Sequence, residues 1–410
     1  MKSYQLKPST LTQPATLTRL PSLLRRLAAF EKPQPDAPPR PRVCIGADLE
    51  KAGACIAVQV GAEGVCAGGN FTRAEVAALV RELRARGWQV ALGVEACGFG
   101  WKFPACLREA GATVFTFATE SLTGKRKTNR RDAAALAQLV AGRVVHGNAK
   151  SGRVVREPSA GEQQRRYLTR HRAQLVAHRG RVEAQGRGLL YDMGIEAVPE
   201  CWWGRKTWPR LAAMLEKAGE HWLRKALESQ RELALALHAQ VLALDAEVQA
   251  AAAALAAQAP AAPPLLHGLG ELTTLTLQVE VMDWNRFSGR KQAGSFIGCC
   301  PSEYSTGAPG GQVLGAIDRQ GNRRLRSALT EAVWRLSRWN PGWRGFEKWG
   351  QLLRDKKGSS VRKKKAVIAC VRLLFIDLWR LHTGRTTLEA LGLRARAAPM
   401  KRPAAIANRE

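Results

Sequence analysis

The stretch that most narrows the possible folds lies between residues 42 and 144, where short apolar runs and helical text alternate in a fixed order. Residues 42–48 (RVCIGAD) are a short apolar run ending on a carboxylate, and 54–60 and 64–68 read as two more short strands joined by Gly-containing turns. Residues 73–86 place Val76, Leu79, Val80 and Leu83 on one helical face. Residues 89–94 are a buried strand ending on Glu95, 98–111 predict a second helix, 113–117 another strand, and 131–144 a third helix opened by Asp132. The predicted order is β-β-β-α-β-α-β-α.

That order is the one used by ribonuclease-H-like nucleases, in which the first and fourth strands lie side by side. In such a sheet Asp48 and Glu95 stand together at strand ends, and a helix N-terminus carrying Asp132 completes the group. Three carboxylates in one place repel one another unless a divalent cation lies between them. Oxygen-only ligation of this kind suits Mg²⁺ or Mn²⁺. Two plainer roles compete with it, Asp132 as a helix cap and Asp48 as a turn residue.

Charge supplies the partner class. The chain of 410 residues carries 64 Lys plus Arg against 34 Asp plus Glu, a formal +30 that implies a polyanionic partner, nucleic acid first and an anionic membrane surface second. No run of about 18 apolar residues is expected to span a bilayer. The nine cysteines show no CxxC pairs and read as reduced, mostly buried thiols of a cytosolic protein. Residues 1–40, rich in Pro and Thr with Glu31 and Asp36 as the acids, predict a disordered basic arm with a faint likeness to a transit peptide.

Beyond the α/β domain, assigned to 41–160, residues 161–262 are long helical text. Leu223, Leu227, Leu237, Val241, Leu244, Val248 and Leu255 form one seam, with Gln230, Ala234 and Ala251 at its remaining positions. The seam fits a core helix and an arm of an intermolecular coiled coil equally well. Residues 168–190 supply its partner helix, with WWGRKTWP at 202–209 as the turn between them. A C-terminal domain, 263–393, follows, then a disordered basic tail, 394–410. Its turn HGLGELT, with Gly268 and Gly270, resembles a helix-hairpin-helix element, whose backbone N–H groups hold a nucleic-acid phosphate.

Within this domain PSEYSTGAPGG, 301–311, is a Gly-rich loop that can bring the Ser305 hydroxyl and backbone N–H groups close to a phosphate. An ordinary surface turn has the same composition. Thr306 is a second hydroxyl beside it. Arg323, Arg324 and Arg326 downstream are phosphate clamps or a solvated helix face. Residues 354–372 hold eight Lys or Arg, Lys363, Lys364 and Lys365 among them, and only Asp355 as an acid.

ADLEK at 47–51, GVEACGFG at 93–100, KTNRRDA at 127–133, GLGELT at 268–273, PSEYSTG and GNRRLR together resemble, in order and spacing, the DEDD insertion-sequence transposases. This is the "IS one-ten" family of bridge-RNA-guided recombinases. The resemblance runs from about residue 43 to 374 and implies a RuvC-like N-terminal domain, a coiled-coil connector and a mostly α-helical transposase domain. By that similarity Asp48, Glu95 and Asp132 bind Mg²⁺ or Mn²⁺, and Ser305 is the nucleophile that forms a covalent link to a DNA phosphate. It also implies donor and target DNA, a structured noncoding bridge RNA, a dimer or tetramer, and work in the cytoplasm at the nucleoid, away from membranes. One departure stands out. Where the family has a fourth acid, this chain has Asn129, whose carbonyl can ligate Mg²⁺ but adds no charge, and Glu120 is the acid considered as compensation. A junction-resolving metal nuclease and a non-catalytic nucleic-acid-binding protein are the alternative functions.

Overall fold

The computed structural model describes residues 20–28, 30, 42–51, 53–96, 102–119, 128–196, 198–258, 263–304, 313–355 and 359–396. They divide into two compact units, 1–157 and 158–410.

The first unit is built on β1 (Val43–Leu49), β2 (Ala54–Val60), β3 (Val65–Phe71), β4 (Val90–Glu95) and β5 (Thr113–Phe117), in the sheet order β3-β2-β1-β4-β5. β1 and β2 pair antiparallel, as do β2 and β3, while β4 runs parallel to β1 and to β5. The sequence expectation that the first and fourth strands are neighbours therefore holds. Three helices cross over the sheet: α2 (Arg73–Ala85), α3 (Phe103–Glu109) and α4 (Asn129–Val144). α2 starts where the chain prescribes, because Thr72 and Glu75 form a reciprocal capping box.

α4 lies unusually close to the sheet. Gly46 on β1 and Gly93 on β4 are register partners, and a methyl group on Gly46 would sit 1.9 Å from the Ala133 carbonyl oxygen. One on Gly93 would meet Val140 at 2.7 Å. Two adjacent glycines thus cut the groove into which α4 settles.

Two expectations are corrected here. Part of the arm predicted to be disordered folds as α1 (Leu20–Ala28), because its amphipathic spacing lets Leu23 and Leu27 join the core of the first unit. The second predicted helix, 98–111, ends earlier than expected, at Glu109; its described part begins at Phe103 with a proline in the first turn, and 98–101 lie outside the described residues.

In the second unit α5 (Ala160–Asp192) and α7 (His221–Gln258) pack as a long hairpin. Leu223, Leu227, Ala234, Val241 and Val248 of the predicted seam are buried, and Arg172 of α5 grips Asp245 of α7 through two hydrogen bonds. An intramolecular partner accounts for that face. The segment between them is more than a turn. Trp202 is seated against Gly186 and donates its indole N–H to the Glu183 carbonyl, and α6 (Trp208–Lys217) follows. By length and mean hydropathy α7 alone among the described helices is apolar enough to cross a bilayer, although its apolar stretch includes Asp245 and Glu247.

The remainder is α8 (Glu271–Val281), α9 (Arg290–Phe296), the hairpin β6 (Pro301–Tyr304) and β7 (Val313–Ile317), then α10 (Arg323–Trp339), α11 (Phe346–Arg354), α12 (Ser360–His382) and α13 (Leu388–Leu391). Its core runs through Leu325, Leu329, Val333 and Leu336 of α10 and Val371, Leu374 and Phe375 of α12. Three residues of the predicted tail are part of this fold. Ala395 bridges Leu266, and Arg396 pairs with Glu271.

Candidate active site

β1 carries Asp48 to the edge of the buried sheet, its burial pattern changing from buried to partly open at this residue. Because Ala47 is in register with Val94, Glu95 lies just across on the neighbouring strand. The groove at Gly46 brings in the first turn of α4, which holds Asn129 and Asp132 and is capped by Thr128 through the Arg131 N–H. The three acids named from the sequence are therefore brought together by the two parallel strands and one closely packed helix.

Their mutual field is visible at Asp48. Burial first, then the charges of Asp132, Glu95 and Glu50, push its carboxyl up from 3.8 to about 6. The Cys55 thiol, in register with Asp48, is also pushed up, by burial and then by Asp48 and Glu50. Among the described residues, no three His, Cys, Asp or Glu side chains converge on a common point at ligand distance. The donor set still suits a hard divalent cation, since it is made of carboxylate oxygens whose repulsion such an ion would relieve.

Glu50 is the acid that sequence reasoning missed. The Asn129 amide nitrogen donates to Glu50 Oε1 at 2.5 Å, and Arg73 donates to the Glu50 carbonyl at 2.9 Å. A fourth carboxylate thus stands beside the residue that replaces the expected fourth acid. Glu50 follows directly on β1, which ends at Leu49, and so reads in the sequence as part of the turn to β2. Glu120, the acid that the sequence offers as compensation, lies outside the described residues.

In the second unit the basic residues gather around a cavity of about 1030 Å³. Arg323 and Arg326 of α10, Lys364, Lys365 and Arg372 of α12, and Arg319 line it, with Ser327 and Thr330 as hydroxyls and Ala316 and Ile317 of β7 at its edge. Ser305 and Thr306 lie outside the described residues, in the connection between β6 and β7. Arg326 also anchors the wall, donating to the Ile297 carbonyl at 2.7 Å. The GNRRLR segment has structural work as well. Gly321 passes so close to Gly298 that a methyl group would meet its N at 2.3 Å, and Asn322 caps α10 by accepting from the Arg324 and Leu325 N–H groups.

Arg324, Lys363, Gly268 and Gly270 do not line this cavity. Arg324 shares the electrostatic environment of Arg166 instead. Gly268 holds a left-handed turn, φ +91°, packed against Trp339, and Gly270 caps α8, with Leu266 and Leu269 buried beside them.

Residues 265–348, which include the hairpin and most of the α10 wall, match the family described as "Transposase IS116/IS110/IS902 family". That stretch is similar to the transposase domain of this family. Two curated proteins of Sinorhizobium fredii (strain NBRC 101917 / NGR234) are similar over more of the chain. "Putative transposase y4rJ" is 26% identical over 250 residues, 58% of this chain and 61% of its own length. "Putative transposase y4qE" is 28% identical over 217 residues, 51% of this chain and 47% of its own. The chain spans less than two thirds of the length of either relative. Ser305, Gly268, Gly270 and Arg323 fall within the matched stretch, and Asp48, Glu95 and Asp132 lie outside it.

Proposed function

We propose that the chain is an insertion-sequence recombinase that cuts and rejoins donor and target DNA through a covalent phosphoserine on Ser305. The observation that carries this reading is the match of residues 265–348 to that transposase family, a stretch that contains both the Ser305 segment and much of a cavity lined with cations. The RuvC-like assignment of the first unit rests on its strand order and its grouped acids.

Asp48, Glu95, Asp132 and Asn129 would hold Mg²⁺ or Mn²⁺, with Glu50 restoring the charge that Asn129 lacks. When bound, the ion supplies neutralisation of the phosphate's negative charge. Arg323 and Lys364 at the cavity hold the phosphate oxygens. Ser305 Oγ forms a bond to phosphorus as the bond from phosphorus to one strand oxygen breaks, the Ser proton passing to a base and the leaving oxygen taking up a proton. The hydroxyl of the exchanged strand later attacks the same phosphorus and returns the serine, so the bond energy is conserved and no nucleotide is consumed. A structured bridge RNA pairs with both DNAs, and the protein works as a dimer or tetramer. The setting is the cytoplasm, at the nucleoid.

The test is Ser305→Ala with a DNA substrate and Mg²⁺. The wild-type protein gives a covalent protein–DNA adduct on denaturing gels and the variant gives none. A variant that cuts as well as the wild type moves the reading to a hydrolytic nuclease.

A further inference from the structure

The basic cavity of the second unit has a charged mouth and an apolar floor. Arg319, Arg323, Lys364 and Lys365 of its lining are exposed, whereas Ile317, Ile368 and Ala369 are half-buried and Cys299 is buried. Charge stands towards solvent and an apolar surface lies behind it. Among the described residues no carboxylate and no aromatic ring lines the cavity.

Its wall is fixed by packing and hydrogen bonds. Arg323, Arg326 and Thr330 of α10 recur at helical spacing, as do Lys364, Ile368 and Arg372 of α12, so each helix turns a single stripe to the cavity. Arg326 is tied to the Ile297 carbonyl. Arg319, just past the end of β7, holds a left-handed backbone, φ +57°, that residues with a side chain rarely adopt. Strain of that kind collects where a side chain has to be aimed.

A phosphate uses the cations and nothing of the apolar floor. Sites that take a whole small molecule hold about 300–1,000 Å³. At about 1030 Å³ this cavity has room for a sugar and a base as well. A paired base does not reach it, because a duplex keeps its bases stacked inside and offers its backbone and groove edges on a convex surface. A nucleotide turned out of the stack sets its phosphate at the mouth and its base on Ile317, Ile368 and Ala369. We propose that the cavity receives one unpaired deoxynucleotide of the strand that is cut. This rests on the reading of the chain as a DNA recombinase and adds the state in which that strand is held. Its place in the hairpin favours DNA over RNA. Tyr304 pairs with Val313 where the Ser305 segment leaves the hairpin, and the cavity begins at Gly315 on the same strand, about 7 Å further along.

The experiment uses the full chain and four labelled duplexes of one length: fully paired DNA, DNA with one bulged 2-aminopurine, DNA with a bulged abasic site, and RNA with the same bulged base. The wild-type protein is expected to bind the bulged DNA base on the order of 10-fold more tightly than paired DNA or the abasic bulge. The 2-aminopurine fluorescence is expected to rise on binding, because no aromatic ring of the cavity stacks on the base. Ala369→Phe fills the floor and is expected to bring bulged and paired DNA to equal affinity, with a melting curve to confirm the fold. Equal wild-type affinity for the base-bearing and abasic bulges overturns the inference and needs no variant. So does a preference that survives in a folded Ala369→Phe protein, or tighter binding of the RNA bulge than of the DNA bulge. A wild-type protein that forms the Ser305-dependent adduct yet shows no bulge preference loses this inference alone, whereas absence of the adduct overturns the reading beneath it.

Discussion

At Gly46 a methyl group would sit 1.9 Å from the Ala133 carbonyl oxygen and 2.4 Å from the Ala137 nitrogen, both backbone atoms of α4 that no rotamer change can move. Gly46→Ala must therefore push α4 off the sheet, carrying Asp132 away from Asp48. The expected cost is about 3 kcal/mol or more in urea unfolding. Asp48 and Glu95 stand out in the sequence because each ends an apolar run, and Asp132 because it sits in the first turn of a helix. Glu50 does not, because it follows the strand-end acid and reads as part of the turn until the Asn129 hydrogen bond shows which way it faces. The two glycines carry no chemistry that a motif would flag, and their role emerges only from the register that makes them neighbours.

Among elements, α8 and the start of α10 are tied to α5 by one buried carboxylate. Glu280 accepts from Asn322 at 2.9 Å and from Arg170 at 3.0 and 3.1 Å, and its side chain is 1% exposed. Burial pushes its carboxyl up, but Asn322, Arg170 and Arg166 outweigh burial and hold it below the ordinary range. A depressed carboxyl contributes stability that is complete above its ordinary value of 4.5 and is lost as pH falls through its folded value. Glu280→Ala leaves Arg166 and Arg170 unpartnered there. Because each arginine remains about one fifth exposed, the expected loss is about 2–3 kcal/mol at pH 7, below that of a fully buried pair. The variant's melting temperature should also change less than that of the wild type on acidification below pH 4.5. Strand order was readable because apolar runs of period-two structure are short and separated by Gly turns. α6 was not, since the tryptophans of WWGRKTWP look like turn punctuation until Trp202 is found seated against Gly186. The cavity lined from α10 and α12 was half legible. Both basic runs stood out, but their convergence depends on how two helices pack through Leu329, Val333, Val371 and Leu374.

At the scale of the whole molecule, the proposed reaction draws on the acids of the first unit, and on Ser305 and a cation-lined cavity of the second. If they act on one phosphate, neither can do the first step alone. The most direct measurement is the yield of covalent protein–DNA adduct formed by Asp48→Asn in the presence of Mg²⁺, with Ser305 intact and folding checked by melting. The account predicts that the adduct falls by at least about 100-fold, the size of effect expected when the charge that stabilises a phosphoryl-transfer step is lost. An Asp48→Asn protein that forms the adduct at the wild-type rate would contradict it.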